Sequence, residues 1–231
     1  MDRITRKELK ADRFAEEVGH TFEYVTGHRK QFVRYGAAAA GVLVLAAGWY
    51  FYSASQKRTR QEALREATAT YEAPVGESGN PYLKSFASQA EKDKAVEKAF
   101  NDIARKYSGS DEAHIARYYL ATRAADEGRM TEAEKRFKEV ADTASKPYAS
   151  LARYALAQIY HSQGKTAEAE NLLRELIAHP TALVSKEQAT LTLGQMLAAS
   201  KPAEARKLLE PLRTERGPVS RAALTALSGI R

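Results

Sequence analysis

The 231-residue chain contains no cysteine, a single tryptophan and five histidines. Without thiols it has no disulfide staple, thiolate metal site, cysteine nucleophile or cysteine-borne lipid anchor. His114, His161 and His179 fall in separate segments without a carboxylate cluster, and His20 and His28 have no second ligand at metal spacing. There is no HExxH and no glycine loop of the kind that cradles phosphate. The sequence therefore points away from an enzyme and calls for no cofactor and no metal. Charge of one sign is not gathered either. Residues 1–35 carry 8 basic and 6 acidic side chains, residues 56–72 carry 4 and 3, and the remainder 24 and 20. A net charge of +7 spread so evenly makes no basic patch for nucleic acid. With 44% hydrophobic and 28% charged residues, the chain has enough apolar material for one or two packed domains.

Long apolar runs are absent except one. Gly36 to Tyr52 reads GAAAAGVLVLAAGWYFY, seventeen residues without a charge. As a helix, Val33 to Tyr52 spans roughly 30 Å, which matches a hydrocarbon core if Arg34 snorkels to the interface. Trp49, Tyr50, Phe51 and Tyr52 suit an interfacial aromatic belt, and Gln56, Lys57 and Arg58 close the span. Ser53-Ala54-Ser55 offers a competing signal-peptidase site, but some 35 residues precede the run and four aromatics crowd the cut, so an uncleaved anchor is expected. Basic residues flank both ends. The eight basic side chains ahead of the span favour an N-terminus inside. Ala37, Gly41, Val44 and Gly48 fall on one helical face, either as a packing face for a second helix or as ordinary small-residue filler.

Ahead of the span, Thr5 and Glu8 have capping-box spacing, and Phe14, Val18, Phe22 and Val25 share a face. An amphipathic helix from about Arg6 to Thr26 is expected. Its stripe needs a cover: the bilayer surface, another protein, or a second copy.

Beyond the span the sequence repeats. Ala113 to Ala121 reads AHIARYYLA, and thirty-six residues later Ala149 to Ala157 reads ASLARYALA, identical in six of nine places. Lys186 to Gly194 continues the series with Ala189 and Leu193. Second helices repeat as Ala133, Phe137 and Val140, then Ala169, Leu173 and Leu176, then Ala205, Leu209 and Leu212. Val96, Phe100 and Ile103 form an earlier copy, so at least three and a half helical pairs are expected. Turns fall at Gly128, at Gly164 and at Ser200-Lys201-Pro202, with a capping box predicted for Thr131 and Glu134. Pro147, Pro180 and Pro218 are expected between pairs, where helices stop. One pair cannot bury its own apolar face, so Leu120, Leu156 and Leu193 should pack on neighbouring second helices. Ala121, Ala157 and Gly194 are expected to be small because two backbones approach there. Arg221 to Ile230 reads as a terminal cap helix.

A two-helix period near 34 residues is the signature of tetratricopeptide-like repeats. The predicted fold is all-α: a single transmembrane helix, then a tetratricopeptide-like α-solenoid of helical hairpins with a C-terminal cap helix. Its expected divisions are a cytoplasmic amphipathic arm at 1–31, the transmembrane helix at 32–55, membrane-proximal helices and a partial first repeat at 56–110, and repeats with the cap at 111–231. In such a superhelix the first helices line the concave face. Register puts Tyr118, Thr122, Tyr154, Gln158, His161, Leu191 and Gln195 there, as a protein-binding groove or, for the two tyrosines, as packing between first helices.

The span ending GWYFYSASQ, the helical stretch with Arg65 and Tyr71, and the degenerate repeats together resemble the ancillary subunit of the bacterial SecYEG translocon, the YfgM-like family. The turn Tyr107 to Asp111, followed by Ala113 and Ala116, is also similar to repeats of periplasmic coordinators of outer-membrane assembly and cell division. The resemblance implies a non-catalytic single-pass inner-membrane protein with periplasmic repeats. It implies work beside SecYEG with periplasmic chaperones or emerging chains. The alternative class is an envelope scaffold or coordinator that forms homo-oligomers through its span or arm.

Overall fold

In a computed structural model of the chain, residues 29–76, 84–215 and 217–230 are described, with side chains from Val33 onward. The helix expected from Arg6 to Thr26, with Thr5, Glu8, His20 and His28, lies outside the described residues. Among the described residues the chain is all-α, with no strand and one isolated bridge between Val75 and Phe86. The helices are α1 (Arg29–Glu72), α2 (Gln89–Lys106), α3 (Asp111–Asp126), α4 (Met130–Thr143), α5 (Lys146–Ser162), α6 (Thr166–Ala178), α7 (Lys186–Leu197), α8 (Pro202–Leu209) and α9 (Pro218–Ser228), with a 3-10 turn at Glu210–Thr214 between the last two. The chain divides into two compact units, Met1–Arg58 and Thr59–Arg231.

In the first unit the apolar run is bare. Leu45 and Trp49 keep 75% and 73% of their surface exposed, and among the described residues Val33–Glu72 is the one helix long and apolar enough to cross a membrane. So exposed an apolar surface needs a cover that water does not provide. Within it Ser53 donates its hydroxyl to the Trp49 carbonyl at 2.8 Å, so the serine carries no unmet donor along the helix. Ala37, Gly41, Val44 and Gly48 are all exposed, and a Cβ built on Gly41 or Gly48 would meet no atom within 4 Å.

The second unit stacks helical pairs whose cores are shared. Val96, Phe100 and Ile103 of α2 pack with Ala67 of α1 and with Ala116 and Leu120 of α3. Ala133, Phe137 and Val140 of α4 pack with Ala121 of α3 and with Ala152 and Leu156 of α5. Leu173 and Leu176 of α6 pack with Ala157 of α5, Leu193 of α7, Leu209 of α8 and Ala223 of α9. Each first helix thus faces its own partner and the preceding one, as the period requires. The C-terminal part of α1 reaches the α2 core through Ala67, with Ala63 and Leu64 packed against it. The link from α1 to α2 is longer than the others and is closed by Gly76 N–H donating to the Phe86 carbonyl at 2.9 Å and Phe86 N–H to that of Pro74 at 3.1 Å.

The turns explain two of the glycines. Gly128 and Gly164 both have φ +76°. At each, the glycine N–H and the next residue's N–H close back on the last turn: Gly128 to Ala125 and Arg129 to Ala124, Gly164 to His161 and Lys165 to Tyr160. This is the left-handed Schellman closure, which favours glycine. The third turn has Ser200, adopts no positive φ, and closes instead through Lys201 N–H to the Leu197 carbonyl.

Polar groups repeat with the same period. Arg117 reaches the Ala104 carbonyl at 3.4 Å and Glu139 at 3.3 Å, and Arg153, thirty-six residues on, reaches the Ala141 carbonyl at 3.3 Å and Glu175 at 3.7 Å. The arginine of the repeated Ala-Arg-Tyr motif therefore ties a first helix to the second helices on both sides. On the second helices Glu134 bridges Lys138 and Lys165, and Glu170 bridges Arg174 and Lys201. Arg174 also meets Glu204.

Four local expectations are corrected. Thr131 and Glu134 form no capping box: α4 starts at Met130 with no side-chain cap, because the Schellman closure leads directly into it and Glu134 is held by lysines. Pro147 and Pro218 lie in the first turns of α5 and α9, where a missing N–H costs nothing, and only Pro180 lies in a link. The cap helix starts at Pro218 rather than Arg221. Gly194 is small because of a side chain, since a Cβ there would lie 2.6 Å from Cγ and Cδ2 of Leu209.

That contact predicts that Gly194→Ala lowers stability by about 1–3 kcal/mol through overpacking. Urea denaturation of the detergent-solubilised chain, followed by circular dichroism, checks it, and an unchanged midpoint would contradict it. A second prediction concerns His114, only 4% exposed, with Nδ1 lacking a partner among the described residues. Burial, then the Arg117 charge, hold its pKa below the usual 6.5, against weaker pulls from Asp111 and Glu139. The unfolded chain therefore takes up a proton that the folded chain resists. This stability contribution is full above pH 6.5 and falls as pH drops below that value, by at most about 1.4 kcal/mol per pH unit. Melting temperature should fall between pH 7 and 5, and His114→Gln should flatten that slope. An unaltered slope would contradict it.

Candidate protein-binding groove

Three successive first helices meet at one recess. The end of α1 contributes Tyr71, α3 contributes Ile115, Tyr118 and Tyr119, and α5 contributes Tyr148 and Leu151, around a cavity of about 310 Å³. Thr122, Arg123 and Asp126 complete its wall. Helical periodicity accounts for the convergence: Ile115, Tyr118, Thr122 and Asp126 recur at three or four residues along one face of α3.

The aromatic rings are held from behind. Tyr119 stacks on Phe100 at 4.8 Å between centroids and meets Tyr71 edge-on at 5.7 Å. Tyr118 meets Phe137 edge-on at 5.3 Å, and burial raises its phenol pKa. Such tilted and offset pairs add to area burial and leave little freedom for the rings. Tyr148 is half-buried, and its phenol is raised by burial and then by the carboxylates of Asp111 and Glu112.

Arg123 is fully occupied. It donates to the Asp93 carbonyl at 2.8 Å and Glu127 Oε1 at 2.8 Å, and lies 3.3 Å from Asp93 Oδ1. Asp126 is exposed and has no ion-pair partner among the described residues. A neighbouring recess of about 470 Å³ shares Tyr71, Arg123 and Asp126 and adds Lys92, Asp93 and Glu127.

Of the seven residues placed in a groove by register, Tyr118 and Thr122 line the cavity. Tyr154 and Leu191 are half-buried against the C-terminal core, and the Tyr154 hydroxyl bonds Thr192 Oγ1 at 2.7 Å across first helices α5 and α7. Gln158, His161 and Gln195 are exposed and lie outside the cavity. Tyr71, Tyr119 and Tyr148 are the aromatic lining residues that register missed, together with Ile115, Arg123, Asp126 and Leu151. The signal for Tyr71 was the helical stretch before Glu72; for Tyr119 and Tyr148 the sequence offers only aromatic type at a repeat position.

Among the described residues no group of three or more histidines and carboxylates could hold a metal ion. A family model described as a tetratricopeptide repeat-like domain matches residues 30–207. The chain belongs to the tetratricopeptide repeat-like domain family. No curated protein and no solved structure matches it. A tetratricopeptide repeat-like domain suggests protein–protein interaction as its role. In this tetratricopeptide repeat-like chain, the tyrosine-lined recess is where aromatic area, a formed cavity and an unpaired carboxylate coincide.

Proposed function

We propose that the protein is a non-enzymatic, membrane-anchored adaptor that binds segments of other proteins along the first-helix face of its repeats. The observation that carries this reading is the tyrosine-lined cavity formed by α1, α3 and α5. Tyrosines give contact area at low entropic cost, and a recess between stacked helices suits an extended chain. Gln158, His161 and Gln195, exposed on α5 and α7, extend the same proposed face, and Tyr154 and Leu191 support it from the core.

The anchor is the exposed apolar stretch from Val33 to Tyr52, within proposed boundaries of 32–55. The arm at 1–31 would lie in the cytoplasm and the repeats, with their membrane-proximal lead at 56–110, in the periplasm. The excess of basic residues ahead of the span supports that orientation. The resemblance to the YfgM-like family supports placement beside the SecYEG translocon, with periplasmic chaperones or emerging chains as partners. Ala37, Gly41, Val44 and Gly48 would be the face that the span turns toward another helix.

The absence of cysteine makes one experiment decisive. Gln158→Cys on the first-helix face and Lys135→Cys on α4 are treated in intact cells with a membrane-impermeant maleimide that carries a benzophenone. Both positions are expected to label, and only Gln158→Cys is expected to form adducts with other proteins, translocon subunits or chaperones among them. Labelling only after lysis would overturn the orientation. Adducts between copies of this chain alone would overturn the adaptor in favour of the envelope scaffold.

A further inference from the structure

We propose that the cavity between α1, α3 and α5 is a subsite for a basic side chain, arginine or lysine, carried on an extended segment of the partner protein. This rests on reading the first-helix face as a protein-binding groove. It goes further by fixing the chemistry of the residue that anchors there.

Three observations converge. The cavity holds four tyrosines, Tyr71, Tyr118, Tyr119 and Tyr148, and about 310 Å³ of space, enough for a long side chain rather than a folded element. Tyrosine faces attract cations, and the attraction is greatest where water is displaced. The charges around the recess set the sign. Arg123 is the cation on the wall, and it is neutralised by Asp93 and Glu127. Asp126 stands at the same wall without a counter-charge among the described residues. Lys92 lines the neighbouring recess and not this one, and it makes no ion pair with Asp126 among the described residues. A carboxylate-ended or acidic segment would meet Asp126 and find no free cation in the cavity. A leucine would fill the space and leave Asp126 unpaired. A basic side chain lays its aliphatic stem along Ile115 and Leu151, presents its head to the tyrosine faces and pairs with Asp126.

The test uses the full chain in nanodiscs of zwitterionic lipid, which attract no basic peptide. Fluorescein-labelled Gly-Ser-Ala 15-mers carry arginine at every third place, or citrulline, leucine or glutamate in its stead, and binding is read by anisotropy. The arginine peptide should bind about tenfold more tightly than the citrulline or leucine peptide. That margin should shrink severalfold in Asp126→Asn, an exposed substitution that leaves packing untouched, and with rising salt. Tyr148→Leu, checked for folding by circular dichroism, should weaken arginine binding by a similar factor.

A leucine peptide that binds as tightly, is lost in Tyr148→Leu and ignores Asp126→Asn would overturn the basic subsite while leaving the groove reading in place. Arginine binding insensitive to both substitutions would be adventitious attraction and would overturn the subsite as well. Failure of every peptide to distinguish wild type from Tyr148→Leu would overturn both readings.

Discussion

A pair of short helices cannot bury its own apolar face, and everything in the repeat unit follows from sharing the deficit with a neighbour. Leu156 and Leu193 each sit between two second helices and Leu120 packs on α2, all three fully or almost fully buried. Ala116, Ala121, Ala152 and Ala157 let those helices close in around them, and all four are completely buried. The arginines of the Ala-Arg-Tyr motif add a polar tie at the same junctions, reaching a carbonyl on one side and a glutamate on the other. Most of these pairs are partly exposed and individually worth little. Their value lies in fixing register, since the same donor meets the same acceptor one period later.

Sharing second-helix cores leaves the opposite face of the first helices free. On that face Tyr71, Tyr118, Tyr119 and Tyr148 converge because α1, α3 and α5 are laid side by side by the cores beneath them. Phe100 and Phe137 belong to the cores and also support the rings of Tyr119 and Tyr118. The α3 wall of the recess is thus built on the packing that stabilises the stack. The apolar stretch from Val33 to Tyr52 shares no such core and is exposed throughout, as a segment meant for another solvent would be.

Much of this was legible in sequence because period is a strong signal. The triplets led by Ala133, Ala169 and Ala205 are buried as the spacing required, and the glycine turns fall where Gly128 and Gly164 stand. The part of α1 that reaches the repeats was legible only as a membrane-proximal helical stretch, since Ala63, Ala67 and Thr70 give little apolar contrast and the link to α2 is longer than the later turns. The ion pairs of Glu134 and Glu170 were also present in the period, but acidic residues near a helix start read equally well as solvated. The cavity was the least legible feature. It draws single residues from three helices, and only the stacked arrangement shows that Tyr71 and Tyr148 face one recess while Tyr154 spends its hydroxyl on Thr192.

The central claim is that α3 and α5 each belong to two cores at once. Amide hydrogen exchange of the full chain, compared with Leu156→Ala, tests it most directly, because Leu156 of α5 lies in the cluster with Ala121 of α3 and Phe137 of α4. The shared core predicts that protection falls together in α3, α4 and α5. Loss confined to α5, with α3 and α4 unchanged, would contradict it.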